Sequence, residues 1–490
     1  MKQDNDTPQK KILCPDICII GAGAAGLTIA AGAAAFGQNV VLVEKGAMGG
    51  DCLNYGCVPS KAMLAVAHIV AECKRGDQLG VHASAVQVEY EAVHAHIQSA
   101  IAQIAPHDSQ ERFEKLGVMV LREAAYFRTP TQLMAGDVTI KAKRFVIATG
   151  SSPSIPAIKG LEEQPYLTNE TIFSLNQCPA HLIIIGGGVI ALELGQAQRR
   201  LGAELTIIEA KEPLANFEQD LKQPLMEQLE SEGVVILTGH SVTGISKCLD
   251  DNDEHVGVRV HAQSAQGEMR SIKGSHLLVA AGRKPAIHGL ELEAAGIALN
   301  GGAIAVDHRF RTTNSRVYAL GDVNGISQFT HSAGAQASML LRHLLFSLPI
   351  SHHKMLVPQV VYTDPPLAKA GLSLQEARQK YKKDCKQLQT SFSKCDRAVA
   401  SGKTNGFLRL IVNKRGQLLG AQAVGENAGE LIGLLSKSIA RKEKLSSLLA
   451  YTFPYPSWNE IIAKTAIDFY RDYPSKTWVR WLVRVLRFLR

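Results

Sequence analysis

The sequence predicts an α/β protein built on two doubly wound parallel sheets. Three observations predict it. A buried-strand pattern runs into a glycine-rich turn and a helix near residue 17, the same arrangement returns near residue 181, and a chain of 490 residues is too long for one core. Hydrophobic residues make up 46% and charged residues 20%, which excludes a low-complexity or disordered chain.

The first unit starts with Asp16-Ile17-Cys18-Ile19-Ile20, which reads as a strand buried on both faces. It enters Gly21-Ala22-Gly23-Ala24-Ala25-Gly26 and an Ala-rich helix to about Phe36. A second strand, Asn39 to Val43, ends at Glu44. Gly21 allows the tight turn, Gly23 lets a pyrophosphate approach the backbone, and Gly26 lets helix and strand pack closely. The helix N-terminus carries the phosphate charge, and Glu44 can accept the ribose hydroxyls. This is a Rossmann-like dinucleotide site.

The second unit repeats the pattern. His181-Leu182-Ile183-Ile184-Ile185 enters Gly186-Gly187-Gly188-Val189-Ile190-Ala191, and a strand from Glu204 to Ile208 ends at Glu209. The interval from Gly188 to Glu209 equals that from Gly23 to Glu44. Ala191 takes the third glycine position, which the fingerprint tolerates. An acid at Glu209 repels a 2′-phosphate, so NADH is favoured over NADPH, with Lys211 nearby moderating the preference.

Between the units lies Gly49-Gly50-Asp51-Cys52-Leu53-Asn54-Tyr55-Gly56-Cys57-Val58-Pro59-Ser60-Lys61. Cysteines so placed at a glycine-rich helix start can close a disulfide and reopen it, because a helix N-terminus stabilises a thiolate. By spacing alone, two unrelated thiols would also satisfy the pattern. Metal ligation is not expected. His94 and His96 do not share a helix face, His352 and His353 sit in a polar linker, and Cys385 and Cys395 lack partners at ligand spacing.

The scattered cysteines point to a reducing compartment, and the polar start, residues 1–11, does not read as a signal peptide. No run of about 18 uncharged apolar residues is expected to span a bilayer. The net charge of +8 is concentrated at the C-terminus, where Arg471, Lys476, Arg480, Arg484, Arg487 and Arg490 face only Asp472. Trp478, Trp481, Leu482, Val485, Leu486 and Leu489 fall on one helical face, with Arg480, Arg484 and Arg487 opposite. This basic amphipathic tail, residues 474–490, has the pattern of a membrane-surface helix; docking on the dimer or on a partner protein is the alternative. No nucleic-acid partner is expected.

With both units and the cysteine run in view, the chain resembles the FAD-dependent pyridine nucleotide-disulfide oxidoreductases, which include dihydrolipoamide dehydrogenase, glutathione reductase and mercuric reductase. Further segments carry the resemblance: Arg144 to Gly150 as a strand-turn, Leu278 to Pro285 through Gly282 as a second, Val317 to Asp322, and Pro358 to Pro365. The resemblance implies an FAD-binding domain in two segments, residues 1–155 and 284–354. It also implies an NAD(P)-binding domain at 156–283 and a C-terminal α+β dimerisation domain at 355–473. Gly150, Asp322 and Thr330 would belong to the flavin site and Gly186, Gly188, Ala191, Glu209 and Gly282 to the nicotinamide site. Cys57 would lie against the flavin as a charge-transfer thiolate, and Cys52 would be the outward thiol that meets the electron acceptor. Lys61 matches the family lysine near the reactive flavin nitrogen and Glu193 its acidic partner. Val189 stands where glutathione reductases carry a tyrosine; the lipoamide and mercuric enzymes use small aliphatics there.

The chain departs from the family at its end. Disulfide reductases carry His-Pro-x-x-x-Glu, whose histidine shuttles a proton for the other subunit's thiol. Here the segment from Tyr451 reads Thr-Phe-Pro-Tyr455-Pro-Ser-Trp-Asn-Glu460, and no histidine follows His353. Tyrosine, with an ordinary pKa near 10, is a poor base at neutral pH. Mercuric reductases carry tyrosine there too, but they deliver the metal with C-terminal cysteines, and this chain has none after Cys395. The expectation is therefore a homodimeric, cytoplasmic flavoenzyme, mercuric-reductase-like by resemblance, possessing a peripheral site at the inner face of the cell membrane. It passes electrons from NADH through FAD and Cys52–Cys57 to a metal ion, quinone, oxidant or disulfide, with Tyr455 and Glu460 at the partner subunit's Cys52. The alternatives are a dihydrolipoamide dehydrogenase with a substituted base, and an FAD-binding redox sensor or scaffold.

Overall fold

A computed structural model describes residues 11–83, 85–249 and 255–489. The readings that rest on residues 1–10 and on Arg490 lie outside the described residues. The chain forms two compact units, one running to Pro213 and including Val235–Met355, the other Leu214–Val234 with the chain from Leu356.

In the first unit the elements follow the order β1 (Ile17–Ile20), α1 (Ala24–Ala35), β2 (Val40–Val43), α2 (Gly50–Asn54), α3 (Cys57–Gly76), α4 (Tyr90–Ile104), β3 (Val118–Leu121) and β4 (Arg144–Ile147). There follow β5 (His181–Ile185), α5 (Val189–Leu201), β6 (Glu204–Glu209), β7 (Val235–Thr238), β8 (His276–Val279), β9 (Val317–Ala319) and α6 (Thr330–Phe346). The first parallel sheet has the order β9-β4-β1-β2-β3, and the second β7-β6-β5-β8. Each predicted strand, turn and helix of the two glycine motifs is present. β1 starts one residue later than the sequence suggests, because the Asp16 carboxylate accepts the Asn39 N–H at 2.9 Å and pairs with Lys143 at 2.7 Å.

Strand alternation explains why β1 is apolar throughout. Ile17 and Ile19 pack with Ile29, Ala30 and Ala33 of α1 and with Leu340 of α6. Cys18 and Ile20 face the opposite layer, with Phe127, Phe145 and Ile147. A parallel strand covered on both faces has no polar side, and each buried aliphatic side chain there contributes roughly 1.5–3 kcal/mol. An Ile19→Asp substitution would place an unpaired charge in that layer.

The helical stretch Gly50–Leu79 is long and apolar enough, by length and composition, to cross a membrane. Charges do not interrupt it enough to fail that test. It is nevertheless broken by Gly56 between α2 and α3, and α3 packs against α4 and α5 within the first unit.

The second unit is an antiparallel sheet of β10 (Gln359–Val361), β11 (Leu367–Gly371), β12 (Cys385–Ser391), β13 (Phe407–Asn413) and β14 (Leu418–Val424), ordered β10-β11-β14-β13-β12. Helices α7 (Ala428–Ala440) and α8 (Glu460–Ile467) cover it through Leu431, Leu435, Ile461 and Ile462. The helix Gln219–Ser231 belongs to this unit; Gln422 donates to Glu218 at 2.6 Å and buried Arg409 pairs with Asp220. The chain then continues into α9 (Thr477–Phe488), as the tail pattern predicts.

Candidate active site

The glycine motifs have the shape a dinucleotide requires. A Cβ on Gly21 would collide with the Ala148 carbonyl, and one on Gly26 with the carbonyl of Gly21. Above Gly23 and Gly188, by contrast, a Cβ would meet nothing within 4 Å among the described residues. The outer glycines are therefore needed for close packing, while the central glycine opens a cradle at a helix N-terminus, where anions are favoured. In the second unit Ala191 is fully buried at the third position. Gly150, with φ +71°, and Gly282, with φ +122°, border open space in the same way.

The two acids occupy equivalent positions. Glu44 accepts the amides of Ala22 and Gly46, each at 2.6 Å. Glu209 accepts those of Gly187 at 2.6 Å and Lys211 at 2.8 Å. Each carboxylate is thus tied to its glycine turn by one oxygen and to the amide two residues beyond it by the other, and both oxygens keep further lone pairs for ribose hydroxyls. The amide of Lys211, rather than its ammonium, is what engages Glu209. Together the open cradles and fixed acids fit FAD in the first unit and a pyridine nucleotide in the second.

Cys57 is the first residue of α3 and Thr330 the first of α6, and their side chains meet, Sγ to Oγ1, at 3.3 Å. Two helix N-termini therefore converge on one sulfur. Hydrogen bonding from the Cys52 thiol, then from Thr330, and the charge of Lys61 bring the Cys57 thiol down to about 6, against burial and Asp51, which act upward. The Cys52 thiol moves the other way, raised first by its hydrogen bond to Cys57 and then by burial. The pair is thus polarised, with the thiolate on Cys57.

No S–S bond joins the two cysteines in this structure, and Cys57 is the more exposed of the two. Cys52 is half-buried. Cys52 lies inside the short helix α2, whereas Cys57 opens a new helix after Gly56.

One turn along α3, the Lys61 ammonium lies 2.7 Å from the Glu193 carboxylate, which is buried on α5. The two residues come from different glycine-motif units and meet beside Cys57. Asp322 receives a 2.6 Å hydrogen bond from Ser151, and burial raises its carboxyl above the ordinary range. His331 stacks on Phe329, with ring centroids 5.4 Å apart.

Several residues that sequence reasoning missed tie these parts together. Arg283, directly after Gly282, donates to the Ser151 hydroxyl at 2.7 Å and to its carbonyl at 2.9 Å. It also pairs with Asp51 at 3.3 Å. Asn169 donates to Asp51 at 3.1 Å and to the Tyr55 carbonyl at 3.2 Å. The helix α2 that carries Cys52 is therefore clamped through Asp51 to the residue that holds Asp322. Asp51 and Arg283 each adjoin a motif residue, which was the available signal; nothing in the sequence marks Asn169.

In the second unit Tyr455 is 75% exposed, and its hydroxyl donates to Asp396 at 3.0 Å. That hydrogen bond and the charge of Asp396 raise the Tyr455 hydroxyl above its ordinary value. Lys464 bridges Asp396, at 3.0 Å, and Glu460. Glu460 also accepts the Asp396 N–H at 3.2 Å, while its second oxygen is buried without a hydrogen-bond partner among the described residues. Tyr455 and Glu460 are thus joined through Asp396 and Lys464 rather than directly. No group of three or more His, Cys, Asp or Glu side chains among the described residues is arranged to hold a metal.

Comparison with known proteins agrees with this geometry. The family model for pyridine nucleotide-disulphide oxidoreductases matches residues 15–337, and that for the family's dimerisation domain matches 357–466. A mercuric reductase of Bacillus cereus is 31% identical over 463 residues, covering 93% of this chain and 72% of the relative. A dihydrolipoyl dehydrogenase of Geobacillus stearothermophilus is 30% identical over 456 residues, covering 91% and 94%. Among solved structures, the Cu(II) complex of the HOCl-induced flavoprotein disulfide reductase RclA from Escherichia coli superposes with a TM-score of 0.81 at 26% identity. That match covers 91% of this chain and 98% of the RclA chain.

Proposed function

The chain belongs to the pyridine nucleotide-disulphide oxidoreductase family, and from that premise we propose that it is an NADH-dependent reductase of a non-dithiol acceptor. FAD, when bound in the first unit, supplies two-electron transfer between a pyridine nucleotide and the cysteine pair. Gly23 and Glu44 would hold its pyrophosphate and ribose, Asp322 its ribityl chain, and Gly188 and Glu209 the NADH. Lys61, fixed by Glu193, keeps a positive charge beside Cys57 and so favours the thiolate.

The observation that carries this reading is the state of Tyr455. Its hydroxyl already donates to Asp396, and that carboxylate opposes loss of the proton. A dithiol acceptor needs a base to resolve its mixed disulfide, and Tyr455 is unsuited to that task. A metal ion, a quinone or a strong oxidant needs no such base. Cu(II), named with RclA, and Hg(II), named by the mercuric reductase relatives, are the first metal candidates. The active unit is read as a homodimer, with Tyr455 and Glu460 beside the partner subunit's Cys52. Its place is read as cytoplasmic, peripheral at the inner face of the cell membrane through α9.

The test is steady-state NADH oxidation by the flavin-loaded protein against Cu(II), Hg(II), quinones, hypochlorite and lipoamide. Turnover with one of the first four and little with lipoamide supports the proposal. Robust lipoamide turnover would establish the dihydrolipoamide reading, which the dihydrolipoyl dehydrogenase relatives favour. Negligible turnover with all of them would leave a redox sensor or scaffold.

A further inference from the structure

Helix α9 leaves most of its apolar face, beyond Trp478, uncovered among the described residues. None of its side chains is buried; Trp481 is 63% exposed, Phe488 94% and Leu489 77%. The helix is attached only near its start, where Trp478 packs edge-on against Tyr473 at 6.2 Å and Arg480 donates to the Pro474 carbonyl at 2.9 Å. Its opposite face carries Arg480, Arg484 and Arg487, and no acidic residue occurs from Tyr473 onward. Arg484 and Arg487 have no ion-pair partner among the described residues.

We infer that α9 is an in-plane anchor for anionic phospholipid. The occupant follows from three features. First, the apolar face is paired with an exclusively cationic one, which a negatively charged surface complements and a neutral one does not. Second, the aromatic residues include two tryptophans, whose rings suit the headgroup boundary, while arginine stems reach past the apolar layer to the phosphates. Third, twelve residues make a helix about 18 Å long, too short for a hydrocarbon layer of about 30 Å. It therefore lies along the surface. A homodimer presents two such helices, so attachment gains from avidity. This inference rests on the peripheral placement proposed above and adds the lipid class and orientation.

The experiment is co-sedimentation of the full-length, flavin-loaded protein with vesicles of phosphatidylglycerol and phosphatidylcholine, or of phosphatidylcholine alone. Binding to the anionic vesicles is expected to be about tenfold or more stronger, and to weaken as salt is raised. Trp478→Glu with Trp481→Glu should abolish binding. Arg480→Gln, Arg484→Gln and Arg487→Gln together should remove the preference for the anionic vesicles. Flavin absorbance and dimer mass should be unchanged in both variants. Equal wild-type binding to both vesicles would overturn the anionic assignment but leave the peripheral placement standing. Absence of binding to either would overturn both. Dimer dissociation in the tryptophan variant, without lipid binding by the wild type, would assign the helix to a second copy of the chain.

Discussion

The hydroxyl of Tyr455 donates a 3.0 Å hydrogen bond to the carboxylate of Asp396, which Lys464 also contacts. A tyrosine so placed holds its proton more firmly than a free one, because ionising it would set two negative charges side by side. Replacing it with histidine should therefore restore a usable base. Tyr455→His is expected to raise lipoamide turnover by about tenfold or more, within the range general-base catalysis supplies, with little change in NADH oxidation by Cu(II). Stopped-flow and steady-state rates with the two acceptors check this; an unchanged lipoamide rate would count against the missing base as the barrier.

The low value at Cys57 sets a pH dependence. With the thiol brought down to about 6 from an ordinary value of 9.0, the reduced protein should be alkylated at Cys57 at pH 7 and slowly below pH 5. The sign for stability follows from linkage. An acid depressed in the folded state contributes stability that is fully present above the unfolded value and is lost as pH falls through the folded one. That window runs from about 9 down to about 6. Mass spectrometry of iodoacetamide adducts across pH 4–9 reads the midpoint, and a midpoint near 9 would refute the polarised pair.

Lys61→Met removes the positive charge that favours that thiolate and leaves the Glu193 carboxylate without its 2.7 Å partner. The alkylation midpoint should move upward. Glu193→Gln, which keeps the hydrogen-bonding shape, should disturb it less. Equal midpoints in wild type and Lys61→Met would sink the assigned role.

Arg283→Met breaks the clamp between Asp51 and Ser151. Because Arg283 is nearly buried and Asp51 partly exposed, the cost is about 1–3 kcal/mol. It should appear as a lower Tm of the flavin-loaded protein and as weaker retention of FAD. A Tm within a degree of wild type would show that the clamp contributes little.

Glu209→Gln retains an acceptor for the Gly187 amide but removes the charge that disfavours a 2′-phosphate. The ratio of kcat/KM for NADPH over NADH should rise about tenfold. A wild-type enzyme already preferring NADPH would contradict the nucleotide assignment outright.

Much of this site was legible before any coordinates. The two glycine motifs are local: strand, turn, helix and acid occur in one short stretch, so the residues that make each cradle are neighbours in sequence. Both units folded as read, including the buried alanine at position 191. The redox pair was legible for the same reason, since Cys52 and Cys57 lie in one short stretch of sequence. The clamp of Asp51, Asn169 and Arg283 was not, because each residue comes from a separate segment and none has a spacing that marks it. Nor was the Tyr455–Asp396 bond, which joins the segment before α8 to a short helix far upstream in the chain.

By itself the sequence determined the two dinucleotide cradles, the cysteine pair, the absence of the terminal histidine and the amphipathic tail. Each depends on residue type and local periodicity, which backbone sterics and hydrophobic patterning translate directly into structure. Only the tertiary structure decided which groups around Cys57 favour its thiolate and what occupies Tyr455. A thiol pKa depends on groups gathered from α2, α3 and α6, and a hydroxyl's partner depends on which carboxylate the fold brings within 3 Å. Electrostatic energies fall with distance in space, and separation along the chain does not record it.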